Sequence, residues 1–238
     1  MKKEKRGLAA IMFTDIVGFS ALSQKDEALA LELLEEHRRL LCPFFAKHKG
    51  KEIKTIGDAF LVEFSSAVEA VRCAIEIQKK LQKQNALAAL DRRIEIRIGI
   101  HIGDIVYREG DIYGDGVNIA SRITPLAEPG GICITNQVYA QIRNKVGAPI
   151  VSMGKQQLKN IDSLLDIYRV VLPWQEASVP KPEAKPLSLA QKSRRWLFFL
   201  PLAAVLLAVV IWLVIPKKRS ESFSGPSKEI NSIAVLPL

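Results

Sequence analysis

The sequence predicts an α+β domain over residues 1–172, with strands and helices in the order βαββαβ and further elements after them. Short apolar runs bounded by turn residues alternate with longer stretches of helical periodicity. The dipeptide Gly57-Asp58 separates two such runs, which is typical of a β-hairpin. This pattern favours a split βαβ arrangement with the helices on one face of a mainly antiparallel sheet.

The first half of the domain supplies a strand, a helix, a hairpin and a second helix. Residues 8–16 form an apolar, strand-like run. Leucines recur at helical spacing along residues 25–49, which predicts an amphipathic helix kinked at Pro43. The hairpin strands and the second helix are predicted at residues 51–56, 59–64 and 65–84.

The second half begins with a strand-rich segment at residues 93–107, in which Gly99 and Gly103 are expected to be bends. A helix follows at residues 116–126 and stops near Pro129. The remaining elements are a strand at 132–135, a helix at 136–146 and strands at 150–159 and 165–172.

Charge and cysteine content exclude several classes. The chain has 34 basic and 25 acidic residues, but residues 1–172 hold 25 and 21 of them, so the basic excess lies mainly in the tail. A domain so weakly basic gives little support to nucleic-acid binding, and no nucleic-acid partner is expected. Three cysteines without a CxxC pair, and three scattered histidines, argue against a disulfide scaffold or a zinc site.

Beyond the domain, the sequence predicts membrane attachment. Residues 196–215 contain no charge over twenty positions, which is about the length that an α-helix needs to cross a bilayer. The alternative is a buried core helix, although such helices rarely lack a polar face. Residues 173–195 are rich in Pro and Lys and predict a linker, and residues 216–238 predict the start of a truncated extracytoplasmic segment.

Two aspartates stand where strands are predicted to end. Asp15 ends an apolar strand in FTDIVGFS, and the N–H groups that follow around Gly18 could cradle phosphate. Asp58 occupies the hairpin tip in KTIGDAF. Each has an ordinary alternative, a helix N-cap for Asp15 and a plain turn for Asp58. If the strands are neighbours, the two carboxylates could bind Mg²⁺ together with substrate phosphates.

A third segment, GDIYGDGVNIASR at residues 110–122, places Asn118 and Arg122 four positions apart on one helix face. The planar Arg122 guanidinium suits a phosphate, and the alternative is a solvated surface arginine. No GxxxxGK[ST] segment and no GxGxxG after a strand occurs, so P-loop and dinucleotide-binding classes are not favoured.

These three segments, in this order and spacing, resemble the catalytic domain of class III adenylate and guanylate cyclases of the bacterial membrane-anchored type. The resemblance runs from about residue 9 to residue 171, and GIHIG at 99–103 and GGICIT at 130–135 add to it. It implies a ferredoxin-like core. A diguanylate cyclase is less similar, because no GGDEF-type hairpin is present.

The resemblance also implies roles for individual residues. It implies that Asp15 and Asp58 bind two Mg²⁺ or Mn²⁺ ions, and that Asn118 and Arg122 act on the ribose and the reacting phosphate. The substrate-binding residues that it implies are Lys54 and Asp111 for the base, with Gly18, Phe19, Arg97 and Lys159 for the phosphates.

The expected substrate is ATP, because adenine N1 accepts a hydrogen bond that Lys54 can donate and adenine N6 donates one that Asp111 can accept. Guanine reverses both edges and would leave the pair unsatisfied. The expected reaction is attack of the ribose 3′-hydroxyl on the α-phosphorus, with loss of pyrophosphate.

The resemblance further implies a head-to-tail homodimer that builds two shared sites from two chains. Only residues 104–110 separate GIHIG from DIYG, a shorter arm than in mammalian-type domains, which weakens the expected dimer contact. Since ATP is cytoplasmic, residues 1–195 are expected on the cytoplasmic side of the inner membrane, in a single-pass protein. The alternative function is a catalytically silent, nucleotide-binding regulatory module of a membrane receptor.

Overall fold

The computed structural model describes residues 5–175 of the chain. Its strands are β1 Lys5–Ile16, β2 Lys51–Ile56, β3 Ala59–Phe64, β4 Ile96–Arg108, β5 Asp111–Tyr113, β6 Ile132–Thr135, β7 Ile150–Gln156 and β8 Leu165–Val170. Its α-helices are α1 Phe19–Lys25, α2 Glu27–Lys47, α3 Ala67–Asn85, α4 Asp115–Ile123 and α5 Asn136–Ile142. Two short 3₁₀ turns cover Leu90–Arg92 and Thr124–Leu126.

The described strands form one sheet in the order β2-β3-β1-β4-β6-β8-β7, and β5 pairs with β4. Because β1 lies between β3 and β4 and runs antiparallel to both, the first four strands with α2 and α3 form the expected ferredoxin-like core. Among the described pairs, β4 with β6 is parallel and the rest are antiparallel. The predicted α+β class and the hairpin at Gly57-Asp58 are therefore confirmed.

The prediction that the helices share one face of the sheet was wrong. Alternate residues of β1 point to opposite sides, as the two-residue period of a strand requires. Met12 and Ile16 join the core formed with α2, α3 and α5, whereas Ile11 and Phe13 join a second core that includes Ala120 of α4. The sheet therefore carries α4 alone on the face opposite the other long helices.

The expected bends at Gly99 and Gly103 do not occur, and β4 continues through both residues. These glycines instead allow α4 to rest on the β4 backbone. A Cβ at Gly99 would lie 2.8 Å from the carbonyl oxygen of Ala120, and one at Gly103 would lie 2.8 Å from the Cα of Gly116. A side chain at either position would force the helix away from the strand.

The predicted helix at residues 25–49 is confirmed as α2, and the short helix α1 that precedes it was not predicted. Asp26 adopts an extended conformation, ends α1 and caps α2, where its carboxylate accepts a hydrogen bond from the Leu29 N–H at 3.0 Å. The longer helix continues through Pro43. The structure also ends three predicted elements earlier than expected, those at residues 116–126, 136–146 and 150–159.

Within residues 5–175 there is no helix with the length and apolar character that crossing a bilayer requires. The predicted membrane helix at residues 196–215 and the predicted segment at 216–238 lie outside the described residues. So does the predicted linker beyond Gln175, although Trp174, at its start, packs against the main core.

His37, on α2, is a buried ionisable group of the main core. It is fully buried beside the Phe60 ring, and neither ring nitrogen has a hydrogen-bond partner in the described part of the chain. Burial disfavours the charged imidazole and lowers the pKa of His37 from 6.5 to about 4. Since the unfolded chain takes up this proton near pH 6.5 and the folded chain only near pH 4, stability decreases as the pH is lowered across that interval.

We expect the variant His37→Leu to lose less stability than the wild type as the pH falls from 6.5 to 4. At about 1.4 kcal/mol per pKa unit, the difference accumulated over this interval is on the order of 3 kcal/mol. His101, whose pKa burial also lowers to about 4, should keep part of the slope in the variant. Urea unfolding at several pH values measures both curves, and parallel curves would contradict the expectation.

Candidate active site

The structure brings Asp15 and Asp58 together. Asp15 lies near the end of β1, and Asp58 lies in the turn between β2 and β3, which pairs with β1 through β3. The Ile16 N–H donates to a carboxylate oxygen of Asp58 at 2.7 Å. The two aspartates therefore meet at one end of neighbouring strands, as the sequence predicted for a metal site.

Thr14 provides a second connection at this end of β1. The backbone ladder between β1 and β3 ends at the pair Phe13↔Leu61. One residue further on, the buried Thr14 hydroxyl accepts a hydrogen bond from the Phe60 N–H at 3.1 Å. The Thr14 side chain thus continues the pairing of β1 with β3. It holds Phe60, two residues after Asp58, in place.

The two carboxylates repel each other. Burial and the neighbouring Asp58 carboxylate raise the pKa of Asp15, while Arg97 acts in the opposite direction. Arg97 faces Asp15 in the β1–β4 register, and its guanidinium nitrogen lies 3.9 Å from an Asp15 oxygen. This cation does not balance the pair, so the site retains a preference for positive charge.

These residues fit a divalent cation. Mg²⁺ is usually held in proteins by one or two carboxylates, with phosphate and water oxygens completing the shell. No cluster of three or more potential metal-ligating side chains occurs within residues 5–175. The carboxylate pair would therefore supply part of a coordination shell, which is the arrangement expected when a phosphorylated substrate supplies the rest.

The turn after Asp15 presents backbone N–H groups. Gly18 has a left-handed conformation with φ +75° and precedes α1, which begins at Phe19. The Val17 N–H donates to the Glu95 carbonyl at 2.8 Å and ties the turn to the chain just before β4. Because first-turn N–H groups have no partner within a helix, this turn can offer them to phosphate beside the carboxylates.

Lys54 and Asp111 form a second polar cluster. The Lys54 ammonium lies 2.5 Å from an Asp111 oxygen, and it also lies 5.7 Å from the centre of the Tyr113 ring. The other Asp111 oxygen accepts from the Ile112 N–H at 2.8 Å. The hydrogen bond from Lys54 is the main reason that the pKa of Asp111 is lowered. The pair offers one donor and one acceptor side by side.

Asn118 and Arg122 lie on α4, four residues apart, and both are exposed in the single chain. Within residues 5–175, the Arg122 guanidinium makes no hydrogen bond and no ion pair. The contact of α4 with β4 at Gly99 and Gly103 fixes the position of the helix that carries them. The guanidinium is thus well placed in the fold and available to an anion.

The predicted site residues do not all meet within one chain. No hydrogen bond or ion pair in the described range joins the Lys54–Asp111 pair to the Asp15–Asp58 pair. Lys159 lies exposed between β7 and β8 and contacts neither cluster through a hydrogen bond. Four cavities of about 240–470 Å³ occur elsewhere on the domain, and no predicted site residue lines them. A single chain therefore does not gather its predicted site residues around any of these four cavities.

Sequence reasoning missed Thr14 and His101. The His101 ring is buried on the α4 side of β4, where it contacts the Thr135 hydroxyl at 2.9 Å. Thr14 occupies a position in β1 whose neighbours two residues away, Met12 and Ile16, face the main core. The sequence signal for Thr14 was a polar residue at a position where the alternation of β1 places apolar, core-facing residues.

We expect the variant Asp15→Asn to raise the melting temperature of the metal-free protein. The raised pKa of Asp15 means that its charged form is disfavoured in the fold, and the amide removes that charge. The difference should be present at neutral pH and should vanish as the pH falls through this pKa. Thermal unfolding in EDTA measures it, with the exposed Asp162→Asn as a control that leaves the melting temperature unchanged. A melting temperature at or below that of the wild type would contradict the expectation.

Comparison with known proteins adds a family to this geometry. Residues 1–168 match the family described as the adenylate and guanylate cyclase catalytic domain. A Rhizobium meliloti protein provisionally named adenylate cyclase 3 is 38% identical over an alignment of 197 positions, which covers 78% of this chain. The chain spans 34% of the length of that relative.

Two solved structures share the fold. An adenylate/guanylate cyclase/hydrolase from Silicibacter pomeroyi is 38% identical, with a TM-score of 0.67, and the match covers 71% of this chain and 99% of that one. The adenylyl cyclase CyaB from P. aeruginosa is 28% identical, with a TM-score of 0.63, and covers 71% and 96%. The two matched chains consist almost wholly of this domain, so in those proteins a domain of this extent folds by itself. The chain belongs to the family of adenylate and guanylate cyclase catalytic domains.

Proposed function

We propose that the chain is an adenylate cyclase, which converts ATP to 3′,5′-cyclic AMP and pyrophosphate in a homodimer with shared sites. The observation that carries this proposal is the pair of separate polar clusters. Asp15 and Asp58 suit a divalent cation, whereas Lys54 and Asp111 suit the edge of an adenine. Membership in the cyclase family supports the reaction class.

The reaction needs positioning and charge stabilisation more than covalent help. Two Mg²⁺ or Mn²⁺ ions at Asp15 and Asp58 would neutralise phosphate charge and make the ribose 3′-hydroxyl easier to deprotonate. Asn118 orients the ribose. Arg122 places its guanidinium where negative charge grows as the 3′-oxygen bonds to the α-phosphorus and pyrophosphate leaves.

The remaining proposed contacts hold the triphosphate. The N–H groups at Gly18 and Phe19 follow Asp15 directly and suit phosphate oxygens. Arg97 already lies beside Asp15 and adds positive charge there. Lys159, in the segment between β7 and β8, lies away from both clusters in a single chain. It would contact the triphosphate only in the site that the dimer forms.

The choice of ATP over GTP rests on the Lys54–Asp111 pair. Without nucleotide, the two side chains bond to each other at partly exposed positions, where an ion pair contributes about 1 kcal/mol or less. An adenine can therefore replace this contact at small cost, accepting from Lys54 at N1 and donating to Asp111 from N6. A guanine would set donor against donor and acceptor against acceptor.

The proposed dimer would complete a site whose residues lie apart in a single chain. Asn118 and Arg122 are exposed, and they belong with Lys54 and Asp111 to the half-site opposite the carboxylates of the partner. The arm between β4 and β5 is only the turn at Glu109 and Gly110, so the interface that it contributes is small. Attachment to a membrane would raise the effective concentration of a weak dimer.

We also propose that the chain is a single-pass protein of the inner membrane with its catalytic domain in the cytoplasm. The uncharged sequence at residues 196–215 supports a membrane helix, and the cytoplasmic location of ATP supports this orientation.

Nucleotide turnover by the purified chain tests the proposal, with ATP or GTP and with Mg²⁺ or Mn²⁺. We expect cyclic AMP from ATP, at a rate that rises more steeply than linearly with protein concentration. The variant Asp58→Ala should form none. Saturable ATP binding without product at any concentration would instead favour the silent regulatory module.

Mixing variants tests the shared sites. Asp58→Ala and Arg122→Ala should each be inactive, but an equal mixture should recover about a quarter of the wild-type activity, because each mixed dimer has one intact site. Asp58→Ala mixed with Asp15→Ala damages the same half-site and should recover nothing. Equal recovery in the two mixtures would rule out the shared arrangement.

Thr14 should affect metal use through Asp58. We expect the variant Thr14→Val, which keeps the shape but cannot accept from the Phe60 N–H, to weaken the apparent metal affinity about tenfold. Thr14→Ser keeps the hydroxyl and should retain the wild-type affinity. Titration of activity with Mn²⁺ at saturating ATP measures this, and the same midpoint in both variants would exclude the role.

A further inference from the structure

Two leucines on the segment between α3 and β4 are exposed to an unusual degree. Leu87 is 92% exposed and Leu90 is 79% exposed, which exceeds every other large apolar side chain among residues 5–175. Only alanines and Leu90 itself follow Leu87 up to Asp91, so the segment is apolar as well as exposed. Large apolar side chains displayed together on a surface indicate a contact with something else.

The segment is firmly attached at both ends. The Asn85 side chain donates to the Ile94 carbonyl at 2.9 Å and accepts from the Ile94 N–H at 3.0 Å. Arg92 forms an ion pair with Glu32 of α2 at 2.9 Å. These bonds fix where the segment begins and ends on the surface of the domain.

Basic residues accompany the leucines. Residues 79–95 contain five basic and two acidic residues, and α2 adds Glu32, which pairs with Arg92, and Glu36, which accepts from Gln84. Lys79, Lys80 and Lys83 lie exposed on the last two turns of α3, and Arg93 follows the leucines. In the described range, no carboxylate lies within ion-pair distance of these four cations. The surface therefore combines apolar side chains with positive charge, which complements an anionic lipid bilayer.

The chain leaves the domain at this same end. Asn85, Ala86 and Arg93 line a cavity of about 340 Å³ together with Trp174 and Gln175, at the end of the described residues. From Gln175, twenty residues lead to Trp196, where the proposed membrane helix begins, and they span at most about 75 Å in any conformation. The end of the domain that bears Leu87 and Leu90 is thus the end at which the described residues stop, at Gln175.

We propose that this surface, Leu87 and Leu90 with Lys79, Lys80, Lys83 and Arg93, docks the catalytic domain on an anionic phospholipid bilayer. The two leucines enter the headgroup region, and the cations contact lipid phosphates. The proposal rests on the proposed membrane attachment but not on the cyclase chemistry. Docking would fix the orientation of the domain relative to the membrane, and with it the geometry in which two chains meet.

Vesicle flotation of residues 1–180, a fragment of the extent that folds independently in the solved relatives, tests this surface without the membrane helix. The vesicles are phosphatidylcholine alone, or an equal mixture of phosphatidylcholine and phosphatidylglycerol. We expect binding to the mixture, loss of binding as salt is raised, and about tenfold weaker binding by the double variant Leu87→Ser, Leu90→Ser. The variant Leu164→Ser removes an exposed leucine from another loop and should bind as the wild type does.

Failure of the wild-type fragment to bind the mixture, or equal binding by the double variant, would overturn the proposal. Self-association that the double variant abolishes, without vesicle binding, would assign the surface to a second copy of the chain instead. With the full chain in nanodiscs, deuterium uptake at residues 86–91 should be slower in phosphatidylglycerol than in phosphatidylcholine. Cyclic AMP formation by the same preparations reports separately on the cyclase proposal.

Discussion

The position of β1 between β3 and β4 is the constraint on which the rest of the site depends. Its register with β4 runs unbroken from Lys5↔Tyr107 to Ile16↔Ile96 and places Arg97 opposite Asp15. Its shorter pairing with β3 ends just before the aspartate, where the Thr14 hydroxyl and the Ile16 N–H take over. The backbone pairing of β1 with β3 therefore stops before Asp15. Beyond that point, hydrogen bonds that involve the side chains of Thr14 and Asp58 hold the β2–β3 hairpin beside β1, and the two carboxylates meet there.

This arrangement has an electrostatic cost that the fold carries without a metal. The raised pKa of Asp15 reflects partial burial next to another carboxylate, and Arg97 compensates only in part. Groups that are unfavourable alone and favourable with a ligand are typical of functional sites. Asp111 differs from Asp15, because a hydrogen bond from Lys54 satisfies its carboxylate and lowers its pKa. One cluster keeps an unbalanced negative charge, whereas the other pairs its own opposite charges.

The sequence predicted the βαββαβ order and the hairpin bounds because these depend on local signals, namely apolar runs, helical spacing and the dipeptide Gly57-Asp58. It also predicted which aspartates converge, once the hairpin and the first strand were assumed to be neighbours. It failed where long-range packing decides. Nothing near Gly99 or Gly103 in the sequence reveals that a helix from the other face of the sheet will rest on them. The short helix α1 was missed because its seven residues span only about two turns and carry little helical periodicity.

Backbone contact at these glycines has a consequence for how the protein can vary. Where side chains separate a helix from a sheet, each substitution in the layer between them alters the spacing. At Gly99 and Gly103 the helix instead rests on the strand backbone, and main-chain atoms of Ala120 and Gly116 help to set the height of α4 above β4. Substitutions in the core on the far side of the sheet do not fall between α4 and β4, the contact that positions Asn118 and Arg122. The fold separates the part that is free to drift from the part that must keep its geometry.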